Sequence, residues 1–344
     1  MMSMIDNAKT AIAGLLFAGL VATSAQAAIL TGADDPACKA AVAYSDGLKG
    51  ASVLVLKDGK VICEAYSGEG APDHGMEIWS GTKSFIGVMA AAAVQDGLLT
   101  LDEKVSDTIT EWKDDPARAG ITIRQVLTLT AGIPSEIGRP PPYAATVGVE
   151  LFAPPGERFR YGPAPFQLFG EIMRRKLAAA GQSPDPYAYL KRRILDPIGL
   201  KPTQWRRLPN GDALLPQGAV MTAREWIKFG EFIRAGGKVD GKFLVDPTAF
   251  GEMFKGTSAH PGYGLTWWLA RASMNPDVVT ASTDIGQPGL PADLAMAAGA
   301  GNQRLYIIPS MGLTIVRQAT FRPMVDRGRS DWSDARFLVL VLGQ

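Results

Sequence analysis

The feature that most restricts how this chain can fold is the placement of its strand pairs at opposite ends. Val53-Leu54-Val55-Leu56 and Val61-Ile62-Cys63 are β-rich runs on either side of Asp58-Gly59. An Asp-Gly dipeptide supplies the positive φ angles that a tight hairpin requires. A second pair, Gln303–Ile308 and residues 313–317, lies near the C-terminus and is joined through Pro309-Ser310-Met311-Gly312. Between them the periodicity is helical, over 80–95 with Gly97 as its stop, over 165–178 and over 222–235. A last helix is predicted over about 331–342. Strands at both termini around a helical middle predict an α+β fold, an α/β sandwich. Its antiparallel sheet is built from both chain ends and flanked by helices, with a mainly helical inserted subdomain at about 100–250. No internal repeat or low-complexity tract interrupts the pattern.

Composition removes several classes of function. The chain has 344 residues, 47% hydrophobic and 20% charged, the balance of a folded globular protein. Lys+Arg 35 against Asp+Glu 34 leaves a net charge of +1, so no global field draws nucleic acid or an anionic membrane. Two cysteines and two histidines exclude an all-cysteine zinc cluster. A mixed site would need Cys38, Cys63, His74 and His260 together, and no two sit at zinc-ligand spacing. No cofactor is implied, although a metal held by carboxylates alone stays open. A Ser-His-Asp hydrolase would have to use His74 or His260, neither of which sits in a recognisable motif. Both are expected in surface loops.

The first residues read as an address. Lys9 precedes an apolar run from Ala11 to Ala22, followed by Ala25-Gln26-Ala27, the order of a secretory leader with its cut after Ala27. About a dozen apolar residues fall short of the roughly 20 needed to span a bilayer. The reading is a signal peptide over 1–27 and a mature domain over 28–344. The mature domain would be periplasmic or secreted, without stable membrane insertion and of undefined oligomeric state. In an oxidising compartment Cys38 and Cys63 can pair, tying the N-terminal segment to the first hairpin; two buried free thiols are the alternative.

Trp79-Ser80-Gly81-Thr82-Lys83 places a lysine three residues after a serine at the expected start of a helix. On a helix, residues i and i+3 share a face, so the amine reaches the hydroxyl. A helix start also directs unpaired N–H groups at a developing oxyanion. A neutral lysine can then serve as the base that activates the serine. By itself the spacing also fits a surface lysine behind a capping serine.

The surrounding segments resolve that ambiguity. Ser80-Gly81-Thr82-Lys83-Ser84-Phe85 resembles the active-site helix of the serine β-lactamase and penicillin-binding-protein superfamily, in its class C-like branch of esterases, D-aminopeptidases and 6-aminohexanoate-dimer hydrolases. Thr122 to Gly132 resembles that family's "LLtHtSG" segment, with Leu129 where histidine is usual. Pro155-Gly156-Glu157-Arg158-Phe159-Arg160-Tyr161 resembles the approach to its second motif, and Ile194 to Leu200 its "ifdPLGM". Tyr263-Gly264-Leu265-Thr266-Trp267-Trp268 resembles "yGlgW", and Gly299-Ala300-Gly301-Asn302-Gln303 the "GfgGq" after its third motif. The likeness runs from about residue 45 to 320.

The resemblance implies that Tyr161 faces Ser80 and Lys83 as a third catalytic group. A phenol and an amine of similar ordinary pKa would titrate there as a unit. The third motif, Lys-Thr-Gly or His-Thr-Gly in relatives, falls on Ala297-Ala298-Gly299. Gly299 would let substrate approach the strand edge, and the N–H groups of Ser80 and Ala300 would form the oxyanion hole. The motif's cation is missing, and Gly162-Pro163 removes the asparagine amide of relatives. Losing both argues against efficient β-lactam turnover, unless an arginine from another loop compensates. Trp267 and Trp268 are candidate walls of the substrate cleft. Tyr143 is a loop residue that can border its entrance, and Arg304 and Arg317 are expected solvated or paired at the sheet surface.

The implied activity is hydrolysis of a small-molecule ester or unusual amide through an acyl-enzyme. A β-lactamase or D-alanyl-D-alanine carboxypeptidase is the alternative within enzymes. A catalytically silent binding or sensor protein on the same fold is the alternative outside them.

Overall fold

The computed structural model describes residues 27–271, 284–326 and 331–344. The expected leader over 1–27, except for Ala27, lies outside the described residues.

The strands in chain order are β1 (Ala28–Thr31), β2 (Gly50–Lys57), β3 (Lys60–Tyr66), β4 (Met76–Glu77), β5 (Gln204–Trp205), β6 (Ala219–Met221), β7 (Lys238–Val239), β8 (Lys242–Phe243), β9 (Trp268–Leu269), β10 (Ala295–Gly299), β11 (Gln303–Ile308) and β12 (Leu313–Ala319). The helices are α1 (Pro36–Asp46), α2 (Ser84–Gln95), α3 (Ile123–Leu127), α4 (Ala164–Ala179), α5 (Pro186–Leu190), α6 (Ala223–Arg234), α7 (Pro247–Glu252) and α8 (Asp334–Val341).

A seven-stranded sheet runs in the order β1-β3-β2-β12-β11-β10-β9. The last strand of the chain therefore sits beside the first hairpin, as the terminal strand pairs require. Val55 pairs with Ile315 and Val53 with Arg317. Residues 50–56 of β2 are all buried, because helices cover both faces of the sheet and side-chain alternation no longer exposes anything. Asp58 and Gly59 both adopt positive φ, 48° and 77°, the turn that their dipeptide predicted. On one face α1 packs with α8; α6 covers β11 and β12 from the other. This is a mixed α+β architecture. The middle of the chain also carries the small sheet β4-β6-β5 and the hairpin β7-β8.

Cys38 of α1 and Cys63 of β3 are joined by a disulfide, with Cα atoms 5.5 Å apart and a sequence separation of 25. By loop-closure entropy such a link contributes about 3 kcal/mol.

Several side chains expected at the surface are instead in the core. Tyr143 is buried; its hydroxyl donates to the Ala213 carbonyl, and its backbone N–H donates to Asp212. It is therefore a core residue and does not border an entrance. Arg304 and Arg317, neighbours across β11 and β12, are also buried. Arg304 is paired with Asp334 of α8 through Nε at 2.7 Å. Arg317 donates to the Leu48 carbonyl at 2.6 Å and to the Asn302 carbonyl at 3.0 Å, and its guanidinium lies over the Trp332 ring. Each cation is tolerated inside because its donors are met, the condition on which buried charge survives.

Candidate active site

Ser80 and Lys83 belong to one short 3₁₀ turn, Trp79–Lys83, and the α-helix proper starts only at Ser84. The tighter winding matters, because residues i and i+3 eclipse on a 3₁₀ helix. It carries the Lys83 amine to 2.7 Å from Ser80 Oγ. Lys83 Nζ also donates to the Pro216 carbonyl at 3.2 Å, a contact that nothing local to Lys83 in sequence announced. Lys83 is 3% exposed, and no carboxylate pairs with it among the described residues. Burial therefore pulls its pKa down to about 7, since a desolvated ammonium has nothing to offset its lost hydration.

Tyr161 arrives from the segment that precedes α4. That segment is pinned to the chain around residue 130: Arg160 N–H donates to the Leu129 carbonyl at 3.0 Å, and Gly156 N–H to that of Thr130 at 2.7 Å. Leu129, at the place where relatives carry histidine, takes a positive φ of 62°. Past Tyr161, Ser135 Oγ accepts from Ala164 N–H at 2.9 Å. A Cβ on Gly162 would stand 2.1 Å from that same hydroxyl oxygen.

The Tyr161 phenol lies near enough to Ser80 to be influenced by its hydroxyl, and Lys83 Nζ lies 4.9 Å from its ring centroid. Trp268 and Tyr263 stand beside the ring, with centroids at 5.5 and 6.2 Å. Burial pushes the phenol up to about 12, against the opposing pull of the nearby Ser80 hydroxyl and the Arg304 charge. Near neutral pH the amine is thus the group that gains and loses a proton, while the phenol stays protonated. The structure brings Ser80, Lys83 and Tyr161 together.

The third motif lies on β10 in a register set by β11: Ala297 faces Leu305, Ala298 faces Arg304 and Gly299 faces Gln303. Gly299 also meets a packing requirement that the sequence did not announce. A Cβ there would sit 2.1 Å from the Ile78 carbonyl oxygen, so the missing side chain lets the strand end close against the segment leading into Ser80. Ala300, the next residue, is exposed.

Trp267 does not line a cleft. It is fully buried between Phe229 and Phe254, with ring centroids at 6.1 and 5.8 Å. Adjacent strand residues face opposite ways, and only Trp268 turns toward Tyr161. His260 is likewise buried, with its ring 4.4 Å from that of Phe159, whereas His74 is exposed. Among the described residues no cluster of His, Cys, Asp or Glu is arranged to hold a metal, and no helix is long and apolar enough to cross a membrane.

Two arginines lie near the site. The Arg206 guanidinium sits 5.1 Å from the Trp79 ring centroid and is paired with Glu77 at 2.7 Å. Arg304 is held by Asp334 on the far face. Neither is left as an uncommitted cation in place of the missing third-motif lysine.

The fold, with a serine–lysine pair and a tyrosine beside it, is that of a family of serine hydrolases. The chain belongs to the beta-lactamase family, whose model matches residues 27–339. It is 32% identical over 148 residues to Protein flp of Staphylococcus aureus (strain NCTC 8325 / PS 47), a match covering 37% of this chain and 30% of that protein. The chain thus spans about a third of the length of that curated relative. A candidate beta-lactamase from Bacteroides dorei DSM 17855 superposes with a TM-score of 0.70 at 19% identity, covering 90% of this chain and 97% of that one. The D-alanine carboxypeptidase AmpC from Burkholderia cenocepacia gives 0.65 at 17% identity, covering 90% and 99%. Likenesses at such identity speak for a shared fold.

Proposed function

We propose that this protein is an exported serine hydrolase that cleaves an ester or an unusual amide by way of an acyl-enzyme on Ser80. The observation that carries the reading is the buried, carboxylate-free amine of Lys83 at 2.7 Å from the Ser80 hydroxyl. Neutral Lys83 takes the hydroxyl proton as Oγ bonds to the substrate carbonyl carbon, and the N–H groups of Ser80 and Ala300 face the oxyanion. Tyr161 donates its proton to the leaving oxygen or nitrogen as the bond to carbon breaks, and the Lys83 ammonium returns a proton to the phenolate. Water then attacks the acyl carbon with the same groups in reversed roles, releasing acid and free Ser80. Export is supported by the leader-like first 27 residues and by the Cys38–Cys63 disulfide.

Ester or unusual-amide substrates are favoured over β-lactams because Ala297 and Gly162-Pro163 supply neither the cation nor the amide that reads a lactam. The test is turnover of p-nitrophenyl esters and of a chromogenic cephalosporin, with fluorophosphonate labelling, by wild type and Ser80→Ala. Ester turnover and labelling that vanish in Ser80→Ala support the reading. Faster turnover of the cephalosporin than of the esters would move the protein to the lactamase or carboxypeptidase class. No labelling and no turnover would make it a silent binding protein.

A further inference from the structure

The far face of β10 and β11 carries a buried polar cluster for which acyl transfer at Ser80 has no direct use. Asp334 accepts from Arg304 Nε at 2.7 Å, from Tyr306 hydroxyl at 2.6 Å and from Trp332 Nε1 at 2.9 Å. Arg304 in turn spends Nη1 on two backbone carbonyls, those of Gly299 and Gln303, both at 3.1 Å. The first of these carbonyls belongs to the same peptide unit as the N–H of Ala300. No peptide bond is cis among the described residues, and in a trans peptide the C=O and N–H point in opposite directions.

The direction matters. Ala298 and Arg304 are cross-strand partners and so share a face of the sheet. The vacant side-chain position of Gly299 faces the other way, where the Ile78 carbonyl stands, two residues before Ser80. A guanidinium that holds the Gly299 carbonyl from behind turns the Ala300 N–H toward the side on which Ser80 lies.

We propose that Arg304, locked by Asp334, is a positioning residue that aims the Ala300 N–H at the oxyanion formed on Ser80. This rests on the assignment of Ser80 as nucleophile and adds the part of the site that orients one of its two donors. An N–H in the oxyanion hole acts only when its direction is fixed before charge develops. The end of β10, next to a non-helical Gly301 at φ 71°, is where a peptide plane would otherwise be free to tilt.

Arg304 also acts on Tyr161 through its charge, and the experiment separates the two routes. Arg304→Lys keeps a cation beside Asp334, but one ammonium cannot span the carboxylate and both carbonyls. With p-nitrophenyl esters, kcat should fall about 10- to 100-fold while KM stays within about threefold. The affinity for phenylboronic acid, which forms a tetrahedral adduct on the serine, should fall by a similar factor, with the pH inflection of kcat/KM unmoved. Wild-type kcat and boronate affinity in folded Arg304→Lys would overturn the proposal. So would a loss of kcat explained by a displaced inflection, since that would make charge the cause. Should Arg304→Lys fail to fold, the double variant Arg304→Gln/Asp334→Asn removes both charges together and is read in the same way. Ser80→Ala serves as the control on the underlying reading. Turnover that survives it sinks both assignments, whereas Ser80-dependent turnover undiminished in the Arg304 variant sinks only this one.

Discussion

The two faces of β10 solve opposite problems with buried charge. On the site face, the Lys83 amine is buried with a hydroxyl and a carbonyl as its polar contacts, and burial makes it give up its proton. On the far face, the Arg304 guanidinium is buried as deeply, but Asp334 and two carbonyls meet its donors, and it stays a cation. Pairing decides whether a buried cation becomes a base or a brace.

The sharpest way to break this contrast is at the nucleophile. Ser80→Ala should abolish ester turnover while leaving the melting temperature within about 2 °C, because the residue is only partly buried and caps nothing. Lys83→Met should lower kcat by about 10³, the range of a lost general base, and should also raise stability. The sign follows from linkage. The folded amine loses its proton near 7, well below an unfolded lysine at about 10.4. Between those pH values the unfolded chain binds a proton that the folded chain lacks, so wild-type stability climbs with pH. The methionine variant lacks that climb, and its advantage in thermal melts should be larger at pH 6 than at pH 9.

On the far face the order is reversed, with stability lost first. Asp334→Ala leaves Arg304 and two further donors without their acceptor and should cost about 3–5 kcal/mol in denaturant unfolding. Cys38→Ser/Cys63→Ser should cost about 3 kcal/mol with kcat unchanged, since the disulfide joins α1 to β3 and touches no group of the site.

Much of the site face was legible in the sequence because it is local. Ser80 and Lys83 are three residues apart, so helical geometry alone brings them together; only the tighter 3₁₀ winding of the turn was not foreseen. The sheet closed from both ends was legible for a similar reason, since alternation and an Asp-Gly turn are local signals. Tyr161 came from resemblance, as nothing within its own segment says that it faces Ser80. Arg304, Arg317, Tyr143 and His260 were misread as surface groups because their burial is made by partners far along the chain. Arg304 meets Asp334 30 residues on, and Tyr143 meets Ala213 70 residues on. Arg304 and Arg317 fall opposite each other across β11 and β12, a like-charge pairing that strands avoid unless each cation has its own acceptors, and that register is visible only in the structure. Trp267 and Trp268 show the limit of alternation. It says that neighbours face opposite ways, and not which of the two meets the core.

The claim at the centre of this account is that Lys83 rests as a neutral base beside Ser80. The most direct measurement is the pH dependence of fluorophosphonate acylation of Ser80, followed by intact-protein mass spectrometry from pH 5 to 10. The rate should rise through a single inflection near 7, stay level to pH 10, and be lost in Lys83→Met. A rate that is independent of pH across that range, or an inflection retained in Lys83→Met, would contradict that claim.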